Sequence, residues 1–257
     1  MQLSFIDSHA HVYLPEFDRD RPEMLGRAEE KGVGLIIMPA IDSSTHEAML
    51  RVEAGSNGRC RSMMGLHPCS VKLNYREELG VVSDFFGKRS FSAVGEVGLD
   101  HYWDTTFLKE QQIAFREQIE LALHYDVPVV IHSREAVDDC IAIIEEHQRG
   151  MLKGVFHCFS GNESQAKRIT GLGLYLGIGG VITFRNAGLD RVMHHISLEH
   201  VVLETDAPYL APVPFRGKRN ECSYLRYVAE KLASIKSVSV DDVARITTTN
   251  AEKLFGL

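Results

Sequence analysis

Short apolar runs recur along the chain, each separated from the next by a longer stretch of mixed polarity. Leu3–Ile6, Gly34–Pro39, Ser62–Leu66, Ala93–Val97, Pro128–Ile131, Gly154–Phe156, Leu174–Ile178 and Val201–Leu203 are too short for helices and read as buried strands. The stretches between them have helical spacing. Val137, Cys140, Ile141 and Ile144 fall at i, i+3, i+4 and i+7, and Phe115, Ile119 and Ala122 repeat the pattern in the segment before. Ser239, followed three residues on by Asp242 and then by Val243 and Ile246, marks the start of a helix near the end of the chain. Strand–helix alternation predicts a parallel sheet, and eight such units close into an α/β (β/α)8 TIM barrel. The rival is an open doubly wound sheet, which usually carries a glycine-rich turn after its first strand. Here that strand runs into Asp-Ser-His-Ala-His at 7–11. No linker, low-complexity tract or longer repeat interrupts residues 1–257, so they read as a single domain.

In a barrel of this kind the reacting groups stand at the C-terminal ends of the strands. Strand one leads into Asp7, His9 and His11, and strand three into His67-Pro68. Strand four carries Glu96 and ends at Asp100, strand five ends in His132-Ser133-Arg134, strand six in His157-Cys158, and strand eight in Glu204-Thr205-Asp206. Alternate residues of a strand face the same way, so His9 and His11 can face one point. Imidazole and carboxylate are the ligands that borderline divalent metals prefer. His9, His11, Glu96, His132, His157 and Asp206 are too many for one tetrahedral ion with an open position, and they suit two ions sharing a carboxylate. Glu96 is the natural bridge, because strand four lies between the two histidine groups. The donor set suits zinc, manganese, iron or nickel, with magnesium as an activator.

Each element also has a plainer reading. A lone H-x-H pair can be structural, His132 a satisfied buried histidine, and Glu96 a buried ion-pair partner. Ligand-type residues at five of eight predicted strand ends make coincidence a poor account of the whole set. Asp206 is placed to orient or deprotonate a water. Glu204 shares its parity and serves as a base or a support, or else forms a buried pair with Arg or Lys. His67 is placed to approach the site. Arg134 points to the same side as His132. Arg216, Lys218 and Arg219 form a basic cluster that can grip phosphate oxygens, or else a solvated loop. His46, His124, His147, His194, His195 and His200 fall in predicted helices or helix ends and read as solvated. Cys158 follows His157, so its thiol is expected to point away from the site.

The net charge of −7 argues against a broad basic surface for nucleic acid, but leaves room for a strand end held in a pocket by a few local cations. The five cysteines include no C-x-x-C pair, which fits a reducing compartment. Residues 1–7 lack the basic and apolar regions of a signal peptide, so a cytoplasmic location is expected. The longest apolar stretch, Leu172 to Phe184, is glycine-rich and too short to span a bilayer. Nothing marks a protein-partner surface.

At these residues the sequence resembles the TatD family of metal-dependent deoxyribonucleases and related hydrolases, within the amidohydrolase superfamily. The matching stretches are FIDSHAH at 5–11, GLHP at 65–68, VGEVGLD at 94–100, VIHSR at 130–134, FHCFSG at 156–161 and LETDAPYLAP at 203–212. RGKRNE at 216–221 and NAEKLFGL at 250–257 match as well. The resemblance implies a distorted (β/α)8 barrel that holds two divalent ions. His9, His11, Glu96 and Asp206 would hold one, and Glu96, His132 and His157 the other. It implies a 3′-5′ exonuclease-like deoxyribonuclease acting on a DNA strand end. The alternatives are an amidohydrolase-type hydrolase of small esters, lactones or phosphodiesters, and a non-catalytic metal-binding scaffold. Two positions depart from the family pattern: His101 stands where an aromatic residue is common after GLD, and Cys222 where proline is common after RNE. His101 is expected near the mouth of the site.

Overall fold

A computed structural model describes residues 5–257. The expected start of the first strand, Leu3 and Ser4, lies outside the described residues. Strand and helix then alternate: β1 (Phe5–Asp7), α1 (Arg21–Glu30), β2 (Val33–Met38), α2 (Ser43–Gly55), β3 (Cys60–Ser62), α3 (Tyr75–Phe86), β4 (Val94–Asp100) and α4 (Leu108–Tyr125). The second half continues with β5 (Val129–Arg134), α5 (Val137–His147), β6 (Gly154–Phe156), α6 (Glu163–Gly171), β7 (Tyr175–Ile178), α7 (Leu189–His195) and β8 (Val201–Leu203), and ends in α8 (Leu225–Lys236) and α9 (Val240–Phe255). All strand pairs are parallel, in two ladders ordered β1-β2-β3 and β4 to β8.

Irregular seams join the two ladders into a TIM-barrel-like ring. Between β3 and β4, Met64 N–H donates to Ala93 O at 3.1 Å and Gly95 N–H to Met64 O at 3.1 Å. Between β8 and β1, Ser8 N–H donates to Leu203 O at 3.0 Å. The third strand therefore differs from the expected Ser62–Leu66. Regular pairing stops at Ser62, and the chain beyond it crosses so close to β4 that a Cβ on Gly65 would meet Gly95 backbone at 2.9 Å.

Side-chain alternation sorts each strand between two apolar layers. Ile36 and Met38 face the helices while Ile37 faces inward; Val129 and Ile131 face out while Val130 faces in; Val201 and Leu203 face out while Val202 faces in. Each buried side chain of this size contributes about 1.5–3 kcal/mol. The inner layer also contains Ala251, Leu254 and Phe255, with Leu35 and Tyr175 beside it. α9 thus closes the end of the barrel opposite the strand C-termini. Its start is the expected one, since Ser239 Oγ accepts the Asp242 N–H at 3.0 Å. No helix of the described residues is long and apolar enough to cross a membrane.

Candidate active site

β1 ends at Asp7, so His9 and His11 stand just past the strand rather than on it. Neighbouring strand ends hold them in place. Ala10 N–H donates to Ile37 O at 3.1 Å, His11 N–H to Ala207 O at 2.7 Å, and Asp206 N–H to His9 O at 2.9 Å. Beneath them, buried Asp7 accepts the Thr205 N–H at 2.9 Å and the Thr205 hydroxyl at 2.6 Å. Burial pushes the Asp7 carboxyl up to about 7.

Glu96 is the hub. The β4–β5 register slips between Gly95 and Val97, a bulge that leaves Glu96 without a ladder partner. Its Oε2 lies 3.1 Å from His9 Nε2 and 3.6 Å from His11 Nε2. Its Oε1 lies 2.8 Å from His132 Nδ1, 3.4 Å from His157 Nε2 and 3.3 Å from His67 Nε2. Asp206 Oδ1 completes one side, at 3.8 Å from His9 Nε2 and 3.7 Å from His11 Nε2. One carboxylate thus faces both histidine groups. Burial alone would raise the Glu96 carboxyl, but the surrounding imidazoles outweigh it and hold the group well below the ordinary range. Burial pushes the Asp206 carboxyl up to about 6 and the His9 imidazole down to about 4. His157 goes the other way: Glu204 and Glu96 outweigh its burial and raise it to about 10.

The outer nitrogen of a site histidine determines what its inner nitrogen offers. Tyr13 donates its hydroxyl hydrogen to Pro39 O at 2.7 Å, so at 3.1 Å it accepts from His11 Nδ1. That leaves the lone pair of a neutral His11 on Nε2, facing Glu96 and Asp206. His132 Nε2 lies 2.8 Å from Asp100 Oδ2, with Nδ1 turned inward. His157 Nδ1 lies 3.0 Å from Glu204 Oε1, though not in line for a hydrogen bond. His67 is built the opposite way. Its Nδ1 accepts the Cys69 N–H at 3.0 Å, so its proton sits on Nε2 and points at Glu96.

The donors gather in overlapping sets whose ligand atoms lie within 4.8 Å of one another: His9, His11 and Asp206; His9, Glu96 and His157; His67, Glu96 and His132. His157 stacks on His9 at 3.6 Å and is grouped with it, while His132 is grouped with His67. His9 Nδ1 and Glu204 Oε2 are buried without a hydrogen-bond partner among the described residues. Inward lone pairs held among carboxylates suit divalent cations.

The site opens into a cavity of about 800 Å³, which His11, His67, Glu96, His132, His157 and Asp206 line together. Arg134, Arg216 and Lys218 reach its rim, and none of the three has an ion-pair partner among the described residues. The Arg216 guanidinium sits 4.4 Å from the Phe184 ring centroid. Arg219 does not join them. It pairs with Asp20 at 2.6 and 2.8 Å and packs on Phe17, which ties its loop to α1.

Several expectations need correcting. Glu204 has no Arg or Lys partner among the described residues; it lies beside His157 and accepts the Cys158 N–H at 2.6 Å. The Cys158 thiol does not turn away. Its positive φ of 48° breaks the strand alternation and groups it with His157 and Glu204. His46 is not solvated but 2% exposed, with its ring edge-on to Phe85. His101 stands beside the mouth, as expected, with its backbone N–H donated to Arg134 O at 3.0 Å, but its ring lies 3.6 Å from Asp139 and does not line the cavity. Tyr13 and Asp100 support site histidines that sequence reasoning left without partners. Asp100 carried a signal, since it shares the parity of Glu96 on β4; Tyr13 carried none.

Comparison with known proteins agrees with this geometry. The family described as TatD related DNase matches residues 6–256. The chain is 36% identical to the uncharacterized metal-dependent hydrolase YabD of Bacillus subtilis, over 97% of this chain and 98% of that one. It is 31% identical to a protein of Pantoea ananatis named 3′-5′ ssDNA/RNA exonuclease TatD, over 98% of this chain and 99% of that one. The crystal structure of the TatD homologue YjjV of Escherichia coli superposes with a TM-score of 0.94 at 32% identity, covering all of both chains. Matched over nearly its whole length and carrying clusters suited to divalent ions, the chain belongs to the TatD family of metal-dependent hydrolases.

Proposed function

We propose that the protein is a deoxyribonuclease that hydrolyses phosphodiester bonds from the 3′ end of a DNA strand. The observation that carries this reading is the position of Glu96, between two histidine groups at the floor of a cavity rimmed by three cations without acidic partners. The name of the Pantoea relative points the same way. In this reading His9, His11, Glu96 and Asp206 would hold one divalent ion, and Glu96, His132 and His157 the second. Divalent ions bound there would supply water activation at neutral pH and Lewis-acid polarisation of the phosphoryl group.

The chain's own groups do the rest. Asp206 Oδ1 faces the histidine pair, and the same carboxylate accepts the proton of the attacking water. Tyr13, Asp100 and Glu204 orient the imidazoles from behind. Arg134, Arg216 and Lys218 hold phosphate oxygens, with Arg216 braced on Phe184. His67 presents its Nε2–H to the same region, as a donor to Glu96 or to a phosphoryl oxygen. The overall charge of −7 does not oppose this, because only a strand end has to enter.

The test is gel-resolved cleavage of an end-labelled single-stranded oligonucleotide with Mg²⁺, Mn²⁺ or Zn²⁺. Stepwise shortening from the 3′ end is expected, reduced at least about 10²-fold by Asp206→Asn. Hydrolysis of small esters or lactones with no attack on DNA would assign the site to the other branch of the superfamily.

A further inference from the structure

We propose that Trp103, backed by Arg134, is a stacking surface for a nucleobase of the substrate. This rests on the nuclease reading above. The chain has one tryptophan, and it stands 68% exposed on the rim of the cavity that holds Glu96, His132 and His157. An indole left in water forgoes a large apolar burial. Yet the turn that carries it is fixed. Asp100 Oδ1 accepts the Tyr102 N–H at 2.9 Å and the Trp103 N–H at 2.8 Å, while Oδ2 of the same carboxylate meets His132 Nε2 at 2.8 Å. One side chain therefore sets both the indole's backbone and a site imidazole.

Trp103 meets Tyr102 edge to face, with ring centroids 5.0 Å apart. The Arg134 guanidinium lies 4.1 Å from the Tyr102 centroid and 5.6 Å from that of Trp103. Arg134 is exposed and has no acidic partner among the described residues. A flat π surface beside a free cation is the pairing with which proteins bind single strands, the ring taking a base and the cation the backbone. The opposite rim repeats it, with Arg216 over Phe184 and half-exposed Tyr209 nearby. A paired duplex hides its base faces, and a small ester has none to offer.

Because Trp103 is the only tryptophan, its emission reports directly on contact with a base. In the Asp206→Asn protein, saturation with single-stranded oligothymidylate, followed independently by anisotropy of the labelled strand, is expected to change Trp103 emission. A strand of equal length without bases is expected to leave the emission unchanged. In the otherwise wild-type enzyme, Trp103→Ala is expected to raise KM for the oligonucleotide roughly tenfold, and Trp103→Phe to restore most of the loss. Metal content and melting temperature of Trp103→Ala establish that the fold is intact. Saturation without any change in emission, or an unaltered KM in Trp103→Ala, overturns the stacking surface and leaves the nuclease reading standing. Wild-type protein that neither binds nor cuts the oligonucleotide overturns both.

Discussion

A buried imidazole offers a metal its lone pair more readily when its other nitrogen has an acceptor for its proton. Tyr13 provides that for His11, because its own hydrogen is already given to Pro39 O. Tyr13→Phe removes the acceptor while keeping the ring. Affinity for the first divalent ion is expected to fall about 10–100-fold, read by competition with a chelator of known strength; an unchanged affinity would contradict the assigned tautomer. The placing of the candidate ligands was legible at this scale: His9, His11, Glu96, His132, His157 and Asp206 all converge. Residues that act through others were not. Tyr13 matters only because folding brings it to Pro39, and nothing in the local sequence tells Arg219 from Arg216. The difference lies in Asp20, which captures one guanidinium and not the other.

At the scale of the element, strand positions were read well and strand ends less well. Pairing of β6 and β8 runs over the expected residues, whereas β4 and β5 each continue three residues farther, to Asp100 and Arg134. Those extensions are what carry Asp100 and His132 to each other. Alternation is a sound guide inside a ladder and fails where the ladder ends, as at Cys158 with its positive φ. β7 contributes by what it lacks. A Cβ on Gly177 would lie 2.3 Å from Glu204 Oε2, so β7 leaves the room in which that carboxylate sits. Gly177→Ala is expected to cost about 1–3 kcal/mol in urea denaturation and to lower metal-dependent turnover by pushing Glu204 off His157. Full activity in a variant of unaltered stability would show that Glu204 has no positioning role.

Across the whole molecule, a charged clamp joins segments far apart in sequence. Arg27 on α1 pairs with Glu221 at 2.7 and 2.9 Å and with Asp20 at 3.0 Å, and Arg219 also pairs with Asp20. The Asp20 carboxyl is held below its ordinary range, first by Arg219 and then by Arg27. Burial would raise Glu221, but Arg27 outweighs it and lowers the carboxyl. Groups lowered in the folded state contribute fully above about pH 5 and lose that contribution as pH falls through the lowered values. Arg27→Ala is therefore expected to destabilise by about 1–2 kcal/mol at pH 7, a modest figure because the guanidinium is partly exposed. The gap from wild type should narrow between about pH 5 and pH 3 in denaturant melts. A gap that stays constant or widens on acidification would show that the clamp is not the source.

The closure of the barrel by α9 has a consequence in time. Ile6 and Val202 share their inner layer with Leu254 and Phe255, and β1 meets β8 through Ser8 and Leu203. The first strand of the ring therefore waits, during synthesis, for elements made some 200 residues later. Until α9 is made, the inward faces of the finished strands lack the Leu254 and Phe255 side chains that cap them, and a nascent chain exposes apolar surface that favours aggregation.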